Sequence, residues 1–122
     1  MNNIALYLRI SKDDKLTDSI ENQKEILLEY CKLNDVNNIS FYIDKGYTGT
    51  NFDRPAFNKL IEDIENNLID TIIVKDLSRL GRNYVDIGYY LDYYFMINDI
   101  RFISLNDNYD NIYNDNLFIP FK

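Results

Sequence analysis

Short apolar runs alternate with segments of helical periodicity along the whole chain of 122 residues. Short runs rich in apolar and β-branched residues, bounded by polar ones, are typical of buried strands. Segments in which apolar residues recur every three or four positions predict amphipathic helices. The predicted strands are IALYLRI, NISFYID, DTIIVKD and IRFISLND, and the predicted helices are IENQKEILLEYCKLN, RPAFNKLIEDIENN and NYVDIGYYLDYYFMIND.

This alternation predicts a single α/β domain with a mostly parallel sheet. The length suits one core, and neither a repeat nor a linker marks a second domain. We expect the domain to span residues 1–105. The Asn/Asp-rich segment 106–122 is weakly patterned and predicts a partly flexible tail.

Local signals support the predicted helices. Ser19 suits the N-cap of the first helix, and Pro55 suits the first turn of the second helix, where a missing N–H costs little. Cys31 falls on the apolar face of the first helix and is interpreted as a small core residue. Gln23 lies on the same face, which is unusual for a polar side chain.

The composition limits the possible chemistry. The chain contains one cysteine and no histidine, which excludes a disulfide framework, a Ser-His-Asp triad and any metal site that depends on imidazole. No apolar run reaches membrane-spanning length, and the N-terminus lacks a secretory pattern. We therefore expect a cytoplasmic protein that does not bind membranes.

Four of the five arginines fall at, or shortly after, the predicted carboxyl ends of strands; these are Arg9, Arg54, Arg79 and Arg82. Such ends meet at one edge of a parallel sheet, where binding sites form. Because arginine presents a charged planar fork that suits phosphate, the pattern favours a phosphate site in a chain of net charge −7. The alternative is a rim of arginine–carboxylate pairs.

Ser11 follows Arg9 where the first strand ends, and it is the candidate nucleophile. Without histidine, its activation has to come from the surrounding positive charge and from a carboxylate such as Asp44. Position alone favours the alternative, in which Ser11 is a loop or capping hydroxyl.

Several of these motifs together resemble the catalytic domain of the serine recombinases. This is the resolvase/invertase family, and the chain is most similar to the large serine recombinases of transposons and integrative elements. The resemblance runs in order from Ala5 to Lys122 through the segments ALYLRISKDD, SIENQKEILLEYC, FYIDKGYTGTNFDRPAFNKLIEDIE, DTIIVKDLSRLGRNY and IRFISLND. It implies a resolvase-like three-layer domain with a four- to five-stranded sheet flanked by helices.

The resemblance also implies roles for individual residues. Ser11 would attack a DNA phosphodiester and form a 5′-phosphoserine, which strand exchange and religation then consume without metal, ATP or another cofactor. Binding of the scissile phosphate would fall to Arg9, Arg54, Arg79 and Arg82. Asp44, Gln23 and Tyr7 match positions in or near the site.

One position departs from the family pattern. Resolvases commonly carry an aspartate, a candidate proton donor to the leaving oxygen, where this chain has Ser78. Asp76 could replace it only if the loop turns Asp76 inward.

The resemblance implies double-stranded DNA as the partner and assembly from homodimer to homotetramer in a full-length protein. DNA binding would come from a C-terminal region that we expect to be missing here, beyond an absent interface helix, so that the isolated fragment would be inactive. The aromatic helix supplies a candidate subunit contact. Tyr90, Leu91, Tyr94 and Phe95 are interpreted as core, whereas five tyrosines in this segment are more than one face can bury.

Two other functions remain open on the sequence alone. A magnesium-dependent phosphoryl-transfer domain could use Asp44, Asp53, Asp70 and Asp76, because carboxylates suit a hard cation. A catalytically decayed assembly module would account for Ser78.

Overall fold

The structure is a computed structural model that describes residues 2–12, 14, 18–47 and 53–113. The strands are β1 Ile4–Ile10, β2 Ile39–Lys45, β3 Thr71–Val74, β4 Arg101–Ser104 and β5 Tyr109–Asp110. The helices are α1 Ile20–Leu33, α2 Pro55–Glu65, α3 Leu77–Leu80, α4 Tyr84–Tyr89 and α5 Phe95–Ile97, with a π-helical segment, Tyr90–Tyr94, between α4 and α5. The four predicted strands are present, and the third predicted helix is divided by the π-helical segment.

The strands form one sheet of order β2-β1-β3-β4-β5. The first four strands run parallel, and β5 pairs antiparallel with β4. Helices connect the parallel strands, as is usual for the crossover connections that parallel pairing needs. The predicted fold, an α/β domain with a mostly parallel sheet between helical layers, is therefore confirmed, and the carboxyl ends of β1, β2 and β3 share one edge.

Both faces of the sheet are covered, which explains why β1 is apolar throughout. Side chains alternate along a strand, so Leu6 and Leu8 pack with Leu27 of α1, whereas Ala5 and Tyr7 belong to the core formed with α2 and the aromatic helix. Strand β1 is thus packed on both faces immediately before Arg9 and Ser11.

The local helix signals are confirmed. The Ser19 side chain accepts a hydrogen bond from the backbone N–H of Asn22 at 3.1 Å, as an N-cap does. Helix α2 begins at Pro55. Cys31 and Gln23 are both buried on the inner face of α1.

The aromatic helix divides its tyrosines between core and surface. Leu91 and Phe95 are buried, while Tyr90 and Tyr94 pack partly against the core. The exposed large side chains of this region are Tyr84, Val85, Tyr89, Tyr93, Met96 and Ile97. The expectation that some tyrosines remain exposed is confirmed, and the wider π-helical turn was not predicted.

Packed structure continues beyond residue 105, the predicted domain boundary. Tyr109 is buried, and the Asn111 side chain bridges β4 by accepting from the backbone N–H of Phe102 and donating to the carbonyl of Ile100, both at 2.9 Å. The rest of the predicted tail, 114–122, lies outside the described residues. Within the described part of the chain, none of the helices has the length and apolar character of a membrane span.

Candidate active site

Ser11 lies directly after β1 and is half-buried. Its backbone N–H and its hydroxyl both donate to Oδ2 of Asp14, at 2.6 and 3.1 Å. The Asp14 amide closes the turn by donating to the Ser11 carbonyl at 3.2 Å. The candidate nucleophile is therefore already hydrogen-bonded to a carboxylate.

Arg79 and Arg82 reach the same carboxylate from the segment after β3. Each guanidinium donates from Nη2 to Oδ1 of Asp14, at 3.1 Å in both cases. We call Arg79 and Arg82 the outer arginines. The Arg79 side chain is 3% exposed and that of Arg82 is 39% exposed, so the pair extends from the protein interior to solvent.

Arg9 and Arg54 lie deeper, with 0% exposure, and we call them the inner arginines. Arg9 donates to the carbonyls of Arg79 and Tyr47 at 3.2 and 3.0 Å, and also to the carbonyl of Ser78. Arg54 donates to the carbonyl of Arg79 at 3.2 Å. The inner arginines therefore bind the main chain that carries the outer arginines.

The contacts between the two layers are reciprocal. Nη1 of Arg79 donates to the carbonyl of Arg9 at 2.7 Å, while the Arg79 carbonyl accepts from both inner arginines. Arg54 also donates to the carbonyl of Leu80 at 2.5 Å. The structure thus brings together the four arginines predicted from the sequence, although only the outer pair contacts Asp14 directly.

The pKa values of the site residues reflect their burial and the short distances between their charges. Burial lowers the pKa of Arg9 to about 10, and the charges of Arg54, Arg79 and Arg82 add to the effect. Burial alone would lower the pKa of Arg79, but its hydrogen bond to Asp14 and the charge of Asp76 raise it. Burial would raise the pKa of Asp14, but hydrogen bonds from Ser11 and Arg79 outweigh it and lower that pKa to about 2.

Asp44 and Tyr7 support the inner layer. The buried Asp44 carboxylate accepts from the Tyr7 hydroxyl at 2.7 Å and from the backbone N–H groups of Ala56 and Phe57 at 2.8 and 3.1 Å. It thereby fixes the N-terminus of α2, where the helix dipole favours negative charge. Tyr7 also accepts from Arg54 at 3.0 Å, and burial raises the pKa of Tyr7 well above its ordinary value.

Gln23 lies on the buried face of α1 and faces the end of β1, the direction that the resemblance implied. Its amide donates to the carbonyls of Arg9 and Asp18 at 3.0 and 2.7 Å. A second contact was not predicted. Lys75 is buried at the end of β3, and its Nζ forms a salt bridge of 2.6 Å with the Asp18 carboxylate. Both contacts fasten α1 to the edge of the sheet that carries the site.

Asp76 turns toward the arginines. It caps α3 by accepting from the Ser78 N–H at 3.0 Å, and it lies 3.4 Å from Nε of Arg79. The Ser78 hydroxyl donates to Asp76 and accepts from Nη2 of Arg79 at 2.8 Å. For Asp76 to replace the absent aspartate, the loop has to turn Asp76 inward. This condition is met in part, because Asp76 reaches Arg79 together with Ser78.

The carboxylates considered for magnesium do not gather. Asp44 is hydrogen-bonded to Tyr7 and to the first turn of α2, and Asp53 accepts from the side chain of Asn58 at 3.2 Å. Asp76 caps α3, and Asp70 accepts from the backbone of Asn2 and Asn3 at the opposite end of the sheet. Across the described ranges, no group of three or more His, Cys, Asp or Glu side chains is arranged to hold a metal ion.

Asp14 is the site residue that the sequence reasoning missed, because SKDDKLTD reads as an ordinary polar loop. A signal was present. Ser11 and Asp14 have the spacing S-x-x-D, in which the acidic side chain reaches back to the N–H of the serine. The Asp14 contact with Ser11 has this form, whereas its contacts with the outer arginines depend on the tertiary fold.

Comparison with known proteins identifies relatives of this chain by sequence. A Bacillus subtilis (strain 168) protein described as "Putative DNA recombinase" is 31% identical over 121 residues, which are 98% of this chain and 23% of that protein. The chain thus spans about a quarter of the length of this relative. A Bacillus phage phi105 protein, "Uncharacterized immunity region protein 3", is 30% identical over 69 residues, covering 55% of this chain and 84% of the relative.

Solved structures share the fold. The N-terminal catalytic domain of TP901-1 integrase superposes with a TM-score of 0.81 at 37% identity, covering 90% of this chain and 82% of that one. A resolvase family site-specific recombinase from Streptococcus pneumoniae gives a TM-score of 0.76 at 27% identity, with 92% and 77% coverage. Residues 4–120 match the family profile described as "Resolvase, N terminal domain". The chain therefore belongs to the resolvase family, over the N-terminal domain of that family.

Proposed function

We propose that this chain is the catalytic domain of a site-specific DNA recombinase in which Ser11 is the nucleophile. One observation carries the proposal. Ser11 and the outer arginines, drawn from separate strand ends, donate to the same carboxylate, Asp14, and the inner arginines lie directly behind them. Such a cluster suits a phosphate and the additional charge of its transition state.

In the proposed reaction, Oγ of Ser11 attacks the scissile phosphorus. A Ser11 Oγ–P bond forms, the bond from phosphorus to the 3′ oxygen breaks, and the DNA 5′ end stays attached as phosphoserine. The serine releases its proton to water and the leaving 3′ oxygen takes one up, so that the step consumes no proton overall. Because the phosphoester bond is conserved, attack by a 3′ hydroxyl of the partner strand reverses the step and rejoins the DNA without ATP.

Proton transfer to the leaving oxygen is assigned to the group of Asp76 and Ser78. Their hydroxyl–carboxylate contact lies against the Arg79 guanidinium, so a proton donor and a phosphate-binding group are adjacent. Asp44 and Gln23 act as positioning residues, since their contacts go to α2, Tyr7 and main-chain carbonyls.

We propose that double-stranded DNA is bound mainly by a region outside these 122 residues, in a cytoplasmic protein. The net charge of −7 opposes long-range attraction to DNA, whose binding depends on phosphate neutralisation by cations. The guanidinium cluster acts only once a phosphate has been delivered to it.

The exposed tyrosines of the aromatic helix are proposed to contact a second subunit in a dimer or tetramer. Tyr89 and Tyr93 are 48% and 53% exposed, and tyrosine is enriched in interfaces. Replacing both with alanine should weaken assembly of the full-length protein in sedimentation experiments while leaving its unfolding midpoint nearly unchanged. Asn98→Ala, at another exposed position of the same region, is the control, and unchanged assembly of the double variant contradicts the proposed contact.

The function is tested by trapping the full-length protein on DNA that carries its recombination site with a nick opposite the cleavage position. Wild type and Ser40→Ala, which alters an exposed serine of β2, should accumulate a covalent protein–DNA adduct on denaturing gels. Ser11→Ala should form none. An adduct of normal yield from Ser11→Ala contradicts the assignment, and its loss in EDTA would favour metal-dependent chemistry.

A further inference from the structure

Asp14 fills the anion position of the candidate site. Each of its carboxylate oxygens accepts two hydrogen bonds: Oδ2 from the N–H and hydroxyl of Ser11, and Oδ1 from Arg79 and Arg82. The Asp14 side chain is 3% exposed, although the loop around it is polar. Four donors thus converge on one small anion.

A phosphodiester makes the same demands as this carboxylate. It carries one negative charge shared by two non-bridging oxygens, each able to accept two hydrogen bonds. Guanidinium groups bind carboxylate and phosphate with similar fork geometry. The donors that hold Asp14 are therefore those that a scissile phosphate needs.

We propose that Asp14 is a built-in competitor for the scissile phosphate, which occupies the phosphate position when no DNA is bound and is displaced by the DNA backbone. This inference rests on the proposed function. It goes further by naming the Asp14 carboxylate as the group that fills the phosphate position in the DNA-free state. It assigns to Asp14 a positioning role toward Ser11 and the outer arginines.

The charge distribution explains why an occupant is needed. The charges of Arg54, Arg79 and Arg82 lower the pKa of Arg9, after burial as the first cause, and the charge of Asp14 opposes them. Without Asp14, Arg82 would lose this ion pair and the buried Arg79 would keep only its 3.4 Å contact with Asp76 as a carboxylate partner. Leaving a buried charge with weaker compensation is costly. Hydrogen bonds from Ser11 and Arg79 keep the pKa of Asp14 low, so the carboxylate is charged at neutral pH.

Competition has a measurable consequence. An occupant that fills a site about nine-tenths of the time lowers the apparent affinity for another ligand about tenfold. Replacing Asp14 with its neutral isostere should therefore raise the affinity of the chain for a free anion, even though a hydrogen-bonding group has been weakened.

Inorganic phosphate at pH 7 is the probe, with binding followed through the Ser11 amide resonance of ¹⁵N-labelled protein. Asp14→Asn should bind phosphate about tenfold more tightly than wild type. The control is Asp99→Asn, which removes the same charge from an exposed turn whose φ of 54° asparagine also tolerates. Asp99→Asn should bind like wild type.

Equal or weaker phosphate binding by Asp14→Asn, relative to Asp99→Asn, overturns the inference, as does an absence of binding to every variant. If Asp14→Asn does not fold, wild type answers the question: saturating phosphate should shift the Asp14 ¹³Cγ resonance, and an unchanged resonance overturns the inference. A wild-type adduct at Ser11 combined with unchanged Asp14→Asn affinity would refute only the competitor role. Tighter phosphate binding without an adduct would refute only the nucleophile role.

Discussion

The inner and outer arginines share a residue type and one edge of the sheet, yet their partners differ. Arg9 and Arg54 are fully buried and donate to main-chain carbonyls, whereas Arg79 and Arg82 donate to the Asp14 carboxylate. Arg79 connects the two pairs, because it is buried, donates to the carbonyl of Arg9 and also reaches Asp14. Arg82 is 39% exposed, and a solvent-facing guanidinium can exchange one anion for another. The inner pair therefore supports the main chain that carries the outer pair, which we propose binds phosphate.

The largest expected effect is the loss of cleavage rate when Arg82 is replaced, with little change in stability. Arg82→Ala should slow covalent adduct formation by about 10²–10³-fold, since it removes a donor aimed at developing charge. Its unfolding free energy should change by less than about 1 kcal/mol because the side chain is 39% exposed. Single-turnover cleavage and urea denaturation measure the two effects. Cleavage near the wild-type rate would place Arg82 outside the phosphate site.

Folding should depend most on the inner pair. Arg54→Met preserves apolar volume but leaves the carbonyl of Leu80 and the hydroxyl of Tyr7 without this donor. We expect the unfolding free energy to fall by about 3 kcal/mol, as unsatisfied buried acceptors cost about 1–3 kcal/mol each. Arg82→Met is the matched control in the same urea titration. Equal losses in the two variants would remove the distinction between layers.

Tyr7 tests the support behind the inner pair. Tyr7→Phe deletes a hydroxyl that donates to Asp44 and accepts from Arg54. Because both partners are charged and buried, the loss should be about 2 kcal/mol in unfolding free energy. Tyr93→Phe, at an exposed tyrosine, is the control and should be nearly neutral. A neutral Tyr7→Phe would show that the inner arginines need no phenol for their placement.

The last expected effect is a pH dependence carried by Asp14, whose pKa is lowered first by the Ser11 N–H and then by Arg79. The folded pKa of Asp14, about 2, lies below its ordinary value of 3.8. The resulting stabilisation is complete above about pH 4 and is lost as pH falls through 2. Other carboxylates titrate nearby, so the measurement is the difference between wild type and Asp14→Asn in urea midpoints from about pH 5 downward. A difference that stays constant over this range contradicts the ion pair.

The fold was predictable because it follows from two periodicities of apolar residues, one typical of strands and one typical of helices. Apolar strands alternate with amphipathic helices, and the parallel topology alone brings the ends of β1 and β3 together. The sequence could not reveal how deeply each arginine is buried. Nothing in the spacing distinguishes Arg54, wholly buried against Tyr7, from Arg82 at the surface.

Other features depend on tertiary packing. The π-helical turn at Tyr90–Tyr94 was not predicted by periodicity, although the core side chains of this segment were, and the two-residue β5 is too short to show alternation. Asp14 belongs to the same class. Its S-x-x-D spacing was visible, but its partners Arg79 and Arg82 lie 65 and 68 residues away along the chain.

The most direct test is to map where the DNA is attached. After the full-length protein is stalled on nicked recombination-site DNA, nuclease and protease digestion should yield a peptide that spans β1 and the following loop and carries a nucleotide phosphate. Tandem mass spectrometry should locate that phosphate on Ser11. A phosphate on any other residue, or a cleaved DNA with no attached peptide, would contradict the account.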